Sequence, residues 1–208
     1  MRRRLPLMLL LLAVAHPAVA AAGEPNDAFD GGTPAEQATV RAALAASSFP
    51  WQLVPARVTI HIRAGTLSRA APGEIWLDGR LLDAGRFAWG VVQHEYAHQV
   101  DFFLLDDAKR AVLADRLGGT AWWSTTTLAL APNGTVAHAS LTSERFASTL
   151  AWAYWPSRTN VMRPESPRDE SAALPPGQFR ELLAAVLGDP SADLGSNAGP
   201  GQGITQTR

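Results

Sequence analysis

The chain of 208 residues contains no cysteine. Disulfide bonds, thiolate ligands for zinc and a lipid-bearing cysteine are therefore all excluded. A protein exported without disulfides must be stabilised by its apolar core, by a bound metal ion, or by both. We therefore expect the seven tryptophans to pack mainly in the core rather than to bind a substrate.

The chain also lacks a large excess of positive or negative charge and a long apolar run. The formal net charge is −1, which predicts no phosphate-binding surface and no nucleic-acid partner. The apolar run at residues 5–14 is too short for a membrane span of about 20 residues. It follows Arg2, Arg3 and Arg4 and precedes small residues, so residues 1–22 are predicted to be a signal peptide. We expect a secreted or extracytoplasmic protein without a stable membrane anchor after cleavage, and the sequence leaves its oligomeric state open.

The remainder of the chain divides into a leader, one domain and a tail. Residues 23–34 are predicted to be a flexible leader, and residues 188–208 a disordered tail, because both are rich in turn-forming residues. Residues 35–187 are predicted to form one α+β domain. Strands are predicted at residues 57–63 and 74–77, a hairpin within 125–141, and helices at residues 35–48, 87–105, 106–117, 142–155 and 179–187. A small N-terminal sheet thus precedes a mostly helical half.

The most specific pattern is His94-Glu95-Tyr96-Ala97-His98, which reads H-E-x-x-H within a predicted helix. Residues four apart lie on the same helix face. His94 and His98 can therefore bind one metal ion, while Glu95 lies beside it and handles a proton. One zinc ion is the predicted cofactor, because neutral imidazole suits zinc and zinc needs no redox partner. A solvated helix that carries two histidines by coincidence is the other interpretation.

A catalytic zinc usually has three protein ligands and one water, so a third ligand is needed. Asp101, His138 and Glu144 are the candidates. We favour Glu144, because Ala147 and Ser148 on its helix face are small enough to let that helix approach the first one closely. The alternative is that Glu144 is an ordinary acid in a first helical turn, where it suits the helix dipole.

The run from His94 to Asp101, followed by a glutamate on a later helix, resembles the gluzincin group of zinc metallopeptidases. Within that group the H-E-x-A-H-x-x-D form is similar to the Mlc titration factor and lethal factor relatives. The resemblance covers about residues 74–155. It implies a zincin-like fold, in which a small sheet with an exposed edge strand lies over the active helix.

The resemblance also implies roles for individual residues. His94, His98 and Glu144 would bind the metal, and Glu95 would be the general base. An extended peptide would pair with the sheet edge, where unpaired backbone groups can accept another strand. The strand implied to offer that edge consists of Glu74, Ile75, Trp76 and Leu77.

Asp101 lies one turn beyond His98. We predict that it accepts a hydrogen bond from a ligand imidazole and so fixes the tautomer of that ring; the alternative is a solvated helix carboxylate. Asp101 and Leu104 stand where the metzincin pattern has a glycine and a histidine, and that group is therefore disfavoured.

These features predict a zinc metallopeptidase that hydrolyses a peptide or protein substrate. Zinc would lower the pKa of a bound water toward ~7, and Glu95 would take its proton and pass it to the leaving amine. Candidate donors for the oxyanion are His138, Tyr154 and Arg158. The resemblance implies this role for His138, because it lies six residues before Glu144, where the related enzymes often have a Tyr or His.

The main alternative is a catalytically inactive zincin-like module that binds zinc or another protein. Glu95 argues against it, since a structural zinc needs no carboxylate base. A binding module without metal and a non-peptide amide substrate also stay open.

Overall fold

The computed structural model of the chain describes residues 27–123 and 140–188. The predicted signal peptide, residues 23–26 of the leader, His138, nearly all of the predicted hairpin and the tail from residue 189 lie outside the described residues. Among the helices in the described ranges, none is both long enough and apolar enough to cross a membrane.

The described residues have an α+β architecture in which helix predominates. The strands are β1 (Asp27–Gly31), β2 (Val58–Arg63), β3 (Arg69–Ala71) and β4 (Glu74–Asp78). The α-helices are α1 (Pro34–Ala46), α2 (Gly79–Leu82), α3 (Trp89–Leu104), α4 (Asp107–Leu117), α5 (Thr142–Tyr154) and α6 (Pro176–Leu187). A 3₁₀ turn, Glu170–Ala172, precedes α6.

The four strands form one mixed sheet in the order β1-β2-β4-β3. β1 and β4 both run parallel to β2, while β3 runs antiparallel to β4. Val58, Ile60 and Ile62 alternate onto one face of β2 and are buried against the helices, as the period-two pattern predicted. The sheet thereby supplies one wall of the core, and α3 packs against it.

Two predictions about the sheet are wrong. Residues 27–31 belong to the segment expected to be a flexible leader, yet they form β1, because β2 offers them a parallel partner. Residues 74–77 were expected to form an edge strand, but β4 lies between β2 and β3. The short segment Arg69–Ala71 pairs with β4 and is the outer strand on that side of the sheet. It was not predicted, because three residues before a Pro-Gly turn are too few to show the alternation of a strand.

The predicted helices are present with small shifts at their ends. α1 begins at a capping box, in which Thr33 accepts from the Glu36 backbone N–H and the Glu36 side chain accepts from the Thr33 backbone N–H. At α5, Leu141 occupies the N-cap position and provides no side-chain cap. Thr142 and Ser143, the first two residues of this helix, are buried.

Helices α3 and α5 pack against each other over most of their length, and this pairing builds the centre of the domain. On α5, Ala147, Ser148 and Ala151 are buried. Their small side chains permit the close approach that the sequence predicted. On α3, Val92, Tyr96 and Val100 fill the core, while the two histidines face α5.

Candidate metal centre

Helices α3 and α5 bring the predicted ligands His94, His98 and Glu144 together. His94 Nε2 lies 3.2 Å from Glu144 Oε2, and His98 Nε2 lies 3.4 Å from the same oxygen. The two Nε2 atoms are 3.3 Å apart. Three potential ligand atoms therefore converge on one point between the helices, where they could hold a metal ion.

The three side chains are nearly removed from solvent, with 6 % exposure for His94, 5 % for His98 and 8 % for Glu144. Burial acts to raise the pKa of Glu144, but hydrogen bonds to both imidazoles and the attraction of their charges act against it. The net effect holds the pKa of the Glu144 carboxyl well below its usual range. The carboxylate is therefore ionised, as a metal ligand must be.

Glu95, the predicted general base, is also buried on α3, with 6 % exposure. Tyr96, two residues after His94, lies on the other side of α3. Its hydroxyl donates to Asp27 Oδ1 at 2.6 Å. This bond joins α3 to β1.

Gln99, one residue after His98, connects α3 to the β3–β4 turn. Its side-chain amide donates to the carbonyl oxygens of Ala71, at 2.9 Å, and Glu74, at 3.2 Å. Its Oε1 accepts from the Gly73 N–H at 2.8 Å. The outer strand β3 is therefore held at a fixed position relative to the second histidine.

Asp101 is fully buried, but it does not orient a ligand as predicted. Its Oδ1 accepts from Arg110 Nε and its Oδ2 accepts from Trp122 Nε1, each at 2.8 Å. His98 Nδ1 is buried without a hydrogen-bond partner among the described residues. Asp101 therefore joins α3 to α4 and to the segment after it, and burial raises its pKa although Arg110 and Trp122 act to lower it.

Two residues linked to His94, Ser148 and Glu170, were not predicted as part of the site. Ser148 Oγ lies 3.0 Å from His94 Nδ1 and donates to Glu170 Oε2 at 2.6 Å. Ser148 had been noted only for its small size. Its position four residues after Glu144 on the same face was a usable signal, whereas nothing local marks Glu170 in a proline-rich loop.

Tyr154 and Arg158, the two described candidates for the oxyanion donor, lie at and beyond the carboxyl end of α5. Tyr154 is ten residues after Glu144, about 15 Å along the helix axis, and its ring packs edge-on against Phe49 at 5.1 Å. Arg158 is exposed beyond the end of α5. His138 lies outside the described residues, so its role stays a prediction.

Trp51, Trp89, Trp122 and Trp155 are buried or packed against the core, as expected, whereas Trp76, Trp123 and Trp152 are not. Trp155 is buried and packs against Trp89, and Trp122 packs against Phe146. Trp123 is 40 % exposed, stacks on Phe102 and lies 5.8 Å from the His98 ring. An aromatic surface therefore adjoins the second histidine.

Comparison of the chain with protein-family models, curated proteins and solved structures finds no significant match. The conclusions about function therefore rest on the residues and on the geometry of the cluster itself.

Proposed function

We propose that the chain is a secreted zinc metallopeptidase with a zincin-like fold and a peptide or protein substrate. His94, His98 and Glu144 bind the zinc ion, and Glu95 is the general base. The observation that carries the proposal is the spacing of the three ligand atoms, which lie 3.2, 3.3 and 3.4 Å from one another. Ligand atoms at 2.0 to 2.1 Å from a tetrahedral zinc lie about 3.3 to 3.4 Å apart.

The donor set supports zinc in a catalytic rather than a structural role. Two imidazoles and one carboxylate match the ligands of known hydrolytic zinc sites, which leave the fourth position for water. A structural site would usually close all four positions with protein ligands. Glu95, beside the first histidine and nearly buried, is the residue type that such hydrolysis needs as a base.

When bound, zinc would lower the pKa of a water toward ~7 and polarise the scissile carbonyl. The chain's own residues perform the remaining steps. Glu95 accepts the proton of the attacking water and then donates it to the leaving amine. The outer strand β3, held by Gln99, provides backbone groups with which an extended peptide can pair. This proposal moves the substrate edge from residues 74–77 to Arg69–Ala71.

The direct test is Glu95→Gln, which removes the base and leaves the three ligands intact. Zinc-loaded wild type and variant would be incubated with a digest of a denatured proteome, and new peptide termini would be identified by mass spectrometry. We expect cleavage by the wild type, and cleavage at least about 100-fold slower by the variant. Both proteins should hold one zinc ion per chain.

Glu181→Gln is the matched control, because Glu181 is exposed on α6 and far from the mechanism. It should cleave as fast as the wild type. A Glu95→Gln variant that cleaves equally fast would show that Glu95 is not the base. A zinc-loaded wild type without any cleavage would favour the inactive zinc-binding alternative.

A further inference from the structure

The first histidine of the cluster has an outer partner that neither the sequence pattern nor the proposed ligand set includes. His94 Nδ1 contacts Ser148 Oγ at 3.0 Å, and Ser148 Oγ donates to Glu170 Oε2 at 2.6 Å. A chain of three side chains thus runs from the metal-binding helix, through α5, to the 3₁₀ turn. Ser148 is only 2 % exposed, so water has little access to this chain.

The direction of each hydrogen bond follows from the donors available. The Ser148 hydroxyl donates to Glu170 Oε2 at 2.6 Å, so its single proton is directed at Glu170. The other neighbour of that hydroxyl is Met162 Sδ at 3.6 Å, and a thioether is a weak acceptor. With its proton committed, Ser148 Oγ is an acceptor toward His94. His94 Nδ1 must therefore carry a hydrogen.

We propose that Glu170, acting through Ser148, is a positioning residue that holds His94 with its proton on Nδ1 and its Nε2 directed at the metal. The inference rests on the proposed metal site. A metal can bind only the unprotonated ring nitrogen, and partners of this kind fix both tautomer and ring orientation. A proton on Nε2 of His94 would be donated to Glu144 Oε2, 3.2 Å away, and would compete with metal binding.

The fold holds Glu170 firmly enough for this role. Its turn packs against α5, where Thr149 Oγ1 donates to the Glu170 carbonyl at 3.4 Å. Ser171, the next residue, is buried with 3 % exposure. The backbone of the turn is therefore anchored on the helix that carries Ser148 and Glu144.

The test compares Ser148→Ala, Glu170→Ala and the double variant with the wild type. Zinc affinity would be measured by competition with a chelator of known affinity. The loss of an outer-shell partner typically costs about 10-fold to 100-fold in metal affinity, and we expect a loss of that size for each single variant. The double variant should lose no more than the weaker-binding single variant, because both changes interrupt one path.

A second readout needs no metal. Nitrogen-15 NMR of the His94 ring in metal-free protein, at about pH 8, reports which ring nitrogen is protonated. The wild type should show a protonated Nδ1, and both single variants should shift population toward the ring protonated on Nε2 alone. This readout stands even if no zinc is bound, so failure of the positioning role is distinguishable from failure of the zinc proposal.

Glu165→Gln is the control, since Glu165 is an exposed glutamate in the same loop. Its zinc affinity and His94 spectrum should match those of the wild type. Glu170→Ala removes the acceptor of the Ser148 proton, and it carries the test if Ser148→Ala does not fold. Wild-type zinc affinity and an unchanged His94 spectrum in Glu170→Ala would overturn the proposal, as would losses in the two single variants that simply add.

Discussion

Replacement of Asp101 by alanine is predicted to destabilise the fold while leaving metal affinity nearly unchanged. The Asp101 side chain has 0 % exposure and accepts one hydrogen bond from Arg110 and one from Trp122, each at 2.8 Å. Removing one partner of a buried ion pair costs about 3 to 5 kcal/mol. The Arg110 side chain is 21 % exposed and can regain water, which places the expected loss near the lower limit, at about 3 kcal/mol.

Urea unfolding of the metal-free protein would measure this loss, and a zinc competition titration would measure affinity. The matched control is Asp107→Ala, because Asp107 also contacts Arg110, at 3.4 Å, but is fully exposed. The unfolding midpoint of the control should hardly move. The reasoning is refuted if Asp101→Ala is as stable as the control. It is also refuted if zinc affinity falls 10-fold or more without loss of stability, which is the pattern of a residue that orients His98.

The same carboxyl group has a predicted pH dependence. Burial raises the pKa of Asp101 above the ordinary 3.8, so the folded protein binds this proton more readily than the unfolded chain does. The charged form is therefore penalised at neutral pH, and the penalty diminishes as pH falls toward 3.8. Relative to Asp101→Asn, the wild type should gain free energy of unfolding between about pH 7 and pH 4. A relative loss over that interval would contradict the assigned direction.

Three further outcomes are expected. Removing zinc with a chelator should lower the melting temperature by about 8 to 16 °C, since a ligand at 1,000 times its Kd adds about 4 kcal/mol to a domain of roughly 150 residues; an unchanged melting temperature would argue against a bound metal. Glu144→Ala should lose this metal-dependent increment, and its retention would remove Glu144 from the ligand set. Tyr96→Phe should cost about 1 to 3 kcal/mol in urea unfolding, because its hydroxyl donates to the Asp27 carboxylate; a loss below about 0.5 kcal/mol would show that this bond contributes little.

The parts of the site that the sequence predicted well depend on spacing within one helix. His94 and His98 share a face of α3 because they are four residues apart, and Glu144 lies in the first turn of a helix with small neighbours. Helix periodicity and side-chain size are local properties, so they can be read directly. They were sufficient to place three side chains at one point.

The parts that were missed depend on contacts between distant segments. Asp101 was predicted to accept a hydrogen bond from a ligand imidazole, but it accepts from Arg110 and Trp122 in the following helix and loop. Glu170 contacts Ser148, which in turn contacts His94. Neither relation has a local pattern, because each one is decided by how the later segments pack.

The pairing of the strands also depends on contacts between distant segments. The alternation of β2 predicted both the strand and its buried face. The outer partners of β2 and β4 could not be inferred, because β1 contains two aspartates and a glycine and Arg69–Ala71 is too short to show periodicity. Both strands form because a neighbouring strand offers hydrogen-bond partners, and this information is not in their own residues.

The central claim is tested most directly by counting metal ions in the folded protein. The chain without residues 1–22 would be purified, supplied with zinc, dialysed, and analysed by elemental mass spectrometry alongside Glu144→Ala. The account predicts one zinc ion per wild-type chain and much less in the variant. A folded wild-type protein that contains no zinc and binds none when it is supplied would contradict the metal site, and with it the proposed peptidase.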